Sequence, residues 1–199
     1  MDQGLPKRKH SRLKHFNYAR AGYYFTTICI HNRRELLGSI TEGKFIESPN
    51  GLVVRKCWES IPEHNPLTHL DEFVIMPNHL HGIVVLDWKP AGDACVAPTA
   101  LRNAEVHIDH AKPGPDQNSL AAIIGSFKAA ASKHLRWKQR HRYPLWQRSF
   151  FDRVISTDEE LHAVREYIVN NPLSWHLDEL NAKRTGRNVF YDWLDKNNP

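Results

Sequence analysis

Short runs of β-branched and aromatic residues alternate along the chain with segments of helical periodicity. "YYFTTICI" (23–30) suits a pleated, half-buried surface and predicts a first strand. "HNRRELLGSI" then reads as a turn returning toward a second short extended piece. In "NGLVVRKCWESIPEHNP" (50–66), Leu52, Val53, Cys57 or Trp58, and Ile61 recur at near-helical spacing, and Pro66 stops the helix. "LDEFVIM" and "LHGIVVLDW" are two strand-like runs joined at "PNH", where Pro77-Asn78 supplies turn chemistry, so an antiparallel hairpin is expected. Residues 89–118 carry Pro90, Pro98, Pro113 and Pro115 without periodicity and read as a long flexible insertion.

"SLAAIIGSFKAAASKHLRW" (119–137) opens on Ser119 as N-cap. At about 100° per residue its Leu120, Ile123, Ile124, Phe127, Ala131 and Leu135 share one sector, which predicts an amphipathic helix. "WQRSFFDRVI" (146–155) reads as a strand. "STDEELHAVREYIVNNP" (156–172) begins with a capping box, Thr157 and Glu160, carries its apolar stripe on Leu161, Val164 and Ile168, and ends at Pro172. The pattern does not place the tail, with its "RTGRN" and "VFYDWL". The order β, (β), α, β, β, α, β, α predicts an α+β fold of ferredoxin-like type, a mainly antiparallel sheet with packed helices.

With 41% hydrophobic and 25% charged residues over 199 positions, a single soluble globular core is expected. No apolar run approaches the roughly 20 residues of a membrane span, and the basic N-terminus has no secretory apolar stretch after it, so a cytoplasmic protein is expected. Cys29, Cys57 and Cys95 lack C-x-x-C spacing and imply neither disulfides nor a zinc cluster. The net charge of +5 is gathered into "KRKHSRLKH", "HNRR", "KHLRWKQRHR" and "KRTGR", two of them interleaved with aromatics. Such clusters suit phosphates and stacked bases, although a charge run is also the ordinary form of a solvated face.

Candidate chemistry centres on "NHLHG". His79 and His81 alternate with Leu80, so on a strand they project from one side about 6–7 Å apart, close enough to converge on one cation. Gly82 beside them reads as room for a close approach. Among 13 histidines an H-x-H also arises by chance. Two ligands suit an open site completed from elsewhere. Tyr167 and Asn171 are i and i+4 on one helical face at the edge of the apolar stripe. Asn171 offers a carbonyl oxygen suited to Mg²⁺ or Mn²⁺, or else caps the helix before Pro172.

Taken in order, "MPNHLHGIVVL", "SFKAAASKHLR", "LWQRSFFDRVI" and "EYIVNNPLSW" resemble the HUH-type single-tyrosine transposases of the insertion-sequence-200-like group, in particular the REP-associated tyrosine transposase branch. The resemblance runs from "ARAGYYFTTICIHNRRELLG" to Trp175. It implies a transposase-like, metal-dependent single-stranded DNA endonuclease and strand transferase on a ferredoxin-like core. His79 and His81 match the family's metal ligands, Tyr167 its nucleophile, and Asn171 the polar residue that completes the metal site, with Mg²⁺ or Mn²⁺ as cofactor. Arg153 departs from the pattern, since many relatives carry His there. The implied organisation is a basic arm (1–20), a transposase domain (21–176, with the insertion 89–118) and a tail (177–199), acting as monomer or homodimer on hairpin-forming single-stranded DNA. Lys7, Arg8, Lys9, Arg12, Lys14, Arg33, Arg34, Lys128, Lys133, Arg136 and Arg148 are the candidate DNA contacts, with Trp137 and Trp146 as rings for stacking and Trp146 equally a core residue. Two other readings stay open: a hairpin-binding regulatory module without catalysis, and an unrelated metal hydrolase built on the histidine pair.

Overall fold

A computed structural model describes residues 20–87 and 118–196. Its elements are β1 (Gly22–Cys29), a 3-10 turn (His31–Arg33), β2 (Gly38–Thr41), β3 (Lys44–Glu47), α1 (Pro49–Glu59), α2 (Ile61–His64), β4 (Thr68–Met76), β5 (His79–Leu86), α3 (Leu120–His134), α4 (Trp137–Arg140), β6 (Phe151–Ile155), α5 (Asp158–Asn170), a second 3-10 turn (Trp175–Leu177) and α6 (Phe190–Lys196). β4, β5, β1 and β6 form one sheet in that order, each antiparallel to its neighbours. β1 and β4 therefore run parallel with β5 inserted between them, the split βαβ arrangement of a ferredoxin-like α+β fold. The expected fold class is the observed one.

The two-residue periodicity of β1 and β5 divides the interior. Tyr24 and Ile28 of β1 and Leu80 and Val84 of β5 pack with Val54, Cys57 and Trp58 of α1 and Ile123, Ile124 and Phe127 of α3. Phe25 and Ile83, of the opposite parity, pack with Leu161, Val164 and Ile168 of α5 and Leu194 of α6. Burying one such aliphatic side chain contributes about 1.5–3 kcal/mol, so the stripe on α5 is enough to seat that helix on the sheet. His79 and His81 share the parity of Ile83 and so face α5.

Local sequence explains most boundaries. Ser119 caps α3 by accepting from the Ala122 N–H, and Thr157 caps α5 by accepting from the Glu160 N–H. α3 stops short of the expected residue 137 because Arg136 takes a left-handed backbone (φ 47°) before α4 begins at Trp137. The second extended piece is a hairpin of two short strands, β2 and β3, turned by Glu42 and Gly43 at positive φ (51° and 72°) as a type I′ turn requires. The strand expected over 146–155 is regular only from Phe151: before it, Trp146 keeps one antiparallel bridge to Ile30 and the Gln147 N–H donates to the Cys29 carbonyl, while the carbonyls of Gln147 and Ser149 accept from the Lys128 ammonium. In α1 the core residue is Val54 in place of Leu52, which is exposed. The arm residues Lys7, Arg8, Lys9, Arg12 and Lys14, and nearly all of the expected insertion, lie outside the described residues. No described helix is long and apolar enough to cross a membrane.

Candidate metal and nucleophile site

Pro77 and Asn78 turn the chain from β4 into β5, and the β1–β5 register then sets Thr27 opposite His81 and Cys29 opposite His79. Thr27 shares the face of the histidines, and its Oγ1 lies 2.8 Å from His81 Nδ1. His79 Nδ1 lies 2.7 Å from Asn78 Oδ1. With the outer nitrogens held this way, the two Nε2 atoms face each other at 2.9 Å, and both rings are fully buried.

α5 brings Tyr167 over this pair, its Oη 3.3 Å from His81 Nε2. One turn on, Asn171 is buried beside Tyr167 and Asp178, yet neither of its amide atoms reaches hydrogen-bonding geometry with a partner among the described residues. Beyond Pro172 the chain doubles back and carries Asp178 into the same space. Its Oδ1 accepts from the Leu180 N–H at 2.6 Å, while Oδ2 is buried without a hydrogen bond, 3.8 Å from His79 Nε2. Donor atoms of His79, His81 and Asp178 all lie within 4.8 Å of one another. α6 closes the far side: Phe190 stacks flat on Tyr167 (centroids 3.7 Å, interplanar 4°), and the Tyr191 hydroxyl lies 3.4 Å from Thr27 Oγ1. Tyr167 is left only 8% exposed.

Burial dominates the electrostatics. It pushes the His81 imidazole down to about 3, and it holds His79 well below the ordinary histidine range with help from His81 and the Arg33 cation. Both rings are therefore neutral lone-pair donors. The same burial raises the Asp178 carboxyl and the Tyr167 phenol above their ordinary values.

His79, His81, Tyr167 and Asn171 thus converge. The candidate cations do not share one place. Arg33 lies at the site's edge and donates to the Glu179 carbonyl at 3.3 Å. Arg34 covers the Tyr143 ring at 4.2 Å, and Lys128 is bound to two carbonyls as described above. Lys133, Arg136 and Arg148 are exposed. Neither candidate stacking ring is open to solvent: Trp137 is buried, stacked on His141 and bonded to the Tyr143 carbonyl, and Trp146 is buried against Phe127. Gly82 does not open the site either. Its parity turns it to the α1 side, where a Cβ would meet the Trp58 ring at 2.5 Å. Arg153 pairs with Glu160 and plays no part in the cluster. Asp178, Asn78, Thr27 and Tyr191 were not legible as site residues. For Thr27 the signal was its strand parity, usable only once the register with β5 is known.

No family model matches the chain. A Haemophilus influenzae protein described as uncharacterized is 37% identical over 177 residues, 89% of this chain and 94% of that protein. Among solved structures, that of a REP-associated tyrosine transposase bound to a REP hairpin superposes with a TM-score of 0.53 at 16% identity, covering 82% of this chain and 73% of that one. At that identity the match shows a shared fold.

Proposed function

The chain belongs to the same family as the Haemophilus influenzae protein, and we propose that it is a single-tyrosine DNA transposase or nickase that cuts and rejoins hairpin-forming single-stranded DNA through Tyr167. The observation that carries this reading is a phenol 3.3 Å from a buried, neutral pair of imidazoles, on the fold of a REP-associated tyrosine transposase whose structure is bound to a REP hairpin.

The site's donor set fits a divalent cation. His79 Nε2 and His81 Nε2 offer lone pairs in a space where Asp178 Oδ2 and Asn171 Oδ1 are buried without hydrogen bonds, and such orphaned oxygens are costly unless something meets them. Asp178 and Asn171 are alternative third ligands, and the mixed nitrogen and oxygen set favours Mn²⁺ over Mg²⁺. When bound, a divalent ion polarises a phosphate oxygen, offsets the charge that builds in the transition state and favours the phenolate.

The chain's own residues carry the rest. Tyr167 Oη attacks the scissile phosphorus in line, the tyrosine–phosphorus bond forms as the bond to the upstream 3′-oxygen breaks, and the products are a 5′-phosphotyrosine and a free 3′-OH. The phenol proton leaves as the bond forms, because a protonated phenol is a poor nucleophile, and the departing 3′-oxygen takes up one proton, so none is gained or lost overall. Burial holds the Tyr167 phenol in its protonated form. A 3′-OH attacking the phosphotyrosine reverses the chemistry, so rejoining needs no external energy. Of the candidate cations, the exposed Lys133, Arg136 and Arg148, with Arg33 at the rim, are placed to meet the backbone, with the arm 1–20 as a further contact, the domain 21–176 as the catalytic unit and the described tail residues 177–196 closing over it.

The test is to incubate the protein, Mn²⁺ and a labelled single-stranded hairpin oligonucleotide and look for a denaturant-stable adduct. Wild type gives the adduct, Tyr167→Phe gives none while still binding DNA, and His79→Ala binds without cleaving. An adduct in Tyr167→Phe overturns the nucleophile assignment. One observation favours a second reading, hairpin binding without cleavage: Phe190 covers Tyr167. That reading expects DNA retention with no adduct in wild type.

A further inference from the structure

Asn78 stands between the histidine pair and two loops, and the chemistry of its amide makes its orientation readable. Its Nδ2 lies 2.8 Å from the Leu180 carbonyl and 3.3 Å from the Arg33 carbonyl. Both carbonyls can only accept, so the amide nitrogen must face them and Oδ1 must face His79. Oδ1 can only accept as well, so His79 Nδ1, 2.7 Å away, must carry the ring's proton. A neutral imidazole has one N–H, and the lone pair is therefore on Nε2, the atom turned toward His81 and Asp178.

We propose that Asn78 is the positioning residue that presets His79 to offer Nε2 toward a divalent cation and ties to that ligand the two loops beside it. The first loop carries Asp178, held through the Leu180 carbonyl. The second is the turn in which Asn32 and Arg33, neither of them glycine, sit at φ 55° and 52°. Consecutive residues with side chains in that region are strained and persist only where their surroundings hold them. The Asn78 amide on the Arg33 carbonyl is one such hold, and it keeps the Arg33 side chain at the rim of the cluster. Asn78 is 2% exposed, so water does not compete for these bonds. Outer partners of this kind fix ring orientation at metal sites, and removing one costs about 10–100-fold in metal affinity.

The inference rests on His79 as a ligand in the proposed function, and its test needs no DNA. In metal-free, ¹⁵N-labelled protein, long-range nitrogen–proton correlations report the His79 tautomer, with His79→Gln identifying the signals. Calorimetry with Mn²⁺ reports affinity, and thermal melting reports folding. Wild type is expected as the single Nδ1–H tautomer. Asn78→Ala mixes the tautomers and weakens Mn²⁺ binding about 10–100-fold. Asn78→Asp keeps the accepting oxygen and loses both donors, so it preserves the tautomer and recovers most of the affinity although its loops loosen. Retention of the wild-type tautomer in Asn78→Ala overturns the proposal, as does an equal loss of Mn²⁺ affinity in both variants that tracks their melting temperatures. A protein that passes these tests and never forms a DNA adduct overturns the proposed reaction while leaving Asn78's role intact.

Discussion

His81 is held by Thr27 on one nitrogen and faces His79 and Tyr167 with the other, with no water-exposed surface on which to carry a second proton. Its folded-state value of about 3 lies below the ordinary 6.5, so the unfolded chain takes up a proton that the folded chain refuses. The stability this contributes is complete above about pH 6.5 and drains away as the pH falls toward 3, at up to about 1.4 kcal/mol per pH unit for one proton. Asp178, raised above its ordinary value, acts in the opposite sense and is common to wild type and variant. Melting between pH 7 and pH 4 should therefore fall more steeply in wild type than in His81→Gln; parallel curves would show that His81 does not titrate in this way. At this scale the sequence was informative wherever a side chain's direction follows from its element's period. Strand alternation put His79 and His81 on one face, and helical spacing paired Tyr167 with Asn171. It was silent on Asp178, because "WHLDEL" follows a proline-ended helix, and no period says that an acidic residue there turns inward.

α5 shows how an element is pinned so that it can hold Tyr167 over the histidine pair. The capping box is present in altered form: Thr157 accepts from the Glu160 N–H, but the Glu160 carboxylate accepts from the Ser156 N–H and also takes the Arg153 guanidinium. That pair joins the start of α5 to β6, which gives Arg153 a structural use. Glu160→Ala removes the carboxylate that pairs with the part-buried Arg153 and caps the start of α5, and should lower stability in urea denaturation by about 1–3 kcal/mol. Replacing both residues, Arg153→Met with Glu160→Ala, should recover part of that loss. The elements read from sequence were those with caps and long periodic stripes, α3 and α5 above all. The hairpin of β2 and β3 was only half seen, because Glu-Gly is a less explicit type I′ signal than Asn-Gly. In the half of that segment before Phe151 the Lys128 ammonium takes two backbone carbonyls, a tertiary contact that local pattern does not carry.

Across the whole molecule, the site draws on β1, the β4–β5 turn, the end of α5 and the loop and helix that follow it. These four segments are distant in sequence, and a cation held between them would bind only the folded chain. Mn²⁺ at 100 times its Kd should then raise stability by about 2.7 kcal/mol, read as an increase in melting temperature that His79→Ala abolishes. No such increase in wild type would count against the metal site. The ferredoxin-like order was legible because each strand of the main sheet and each long helix has its own pattern. The covering of Tyr167 was not, since the stack of Phe190 depends on how the last described residues return across the sheet.

The pairing of β1 with β5 has a consequence for how this gene can change length. Thr27 meets His81 only because each strand alternates faces in step with the other, and the apolar layer beneath α1 and α3 uses the intervening residues. Removing Leu80 would place the two histidines next to each other on opposite faces, and inserting one residue between Phe25 and Thr27 would turn the threonine toward Trp58's side. Substitutions in these strands can be graded, but single-residue insertions and deletions cannot. A scan of such indels, scored by Mn²⁺-dependent melting, should show a sharp intolerant block over residues 23–29 and 79–86. A one-codon change in either strand would have to be matched by a second in its partner, so mutational paths through this part of the gene run in pairs.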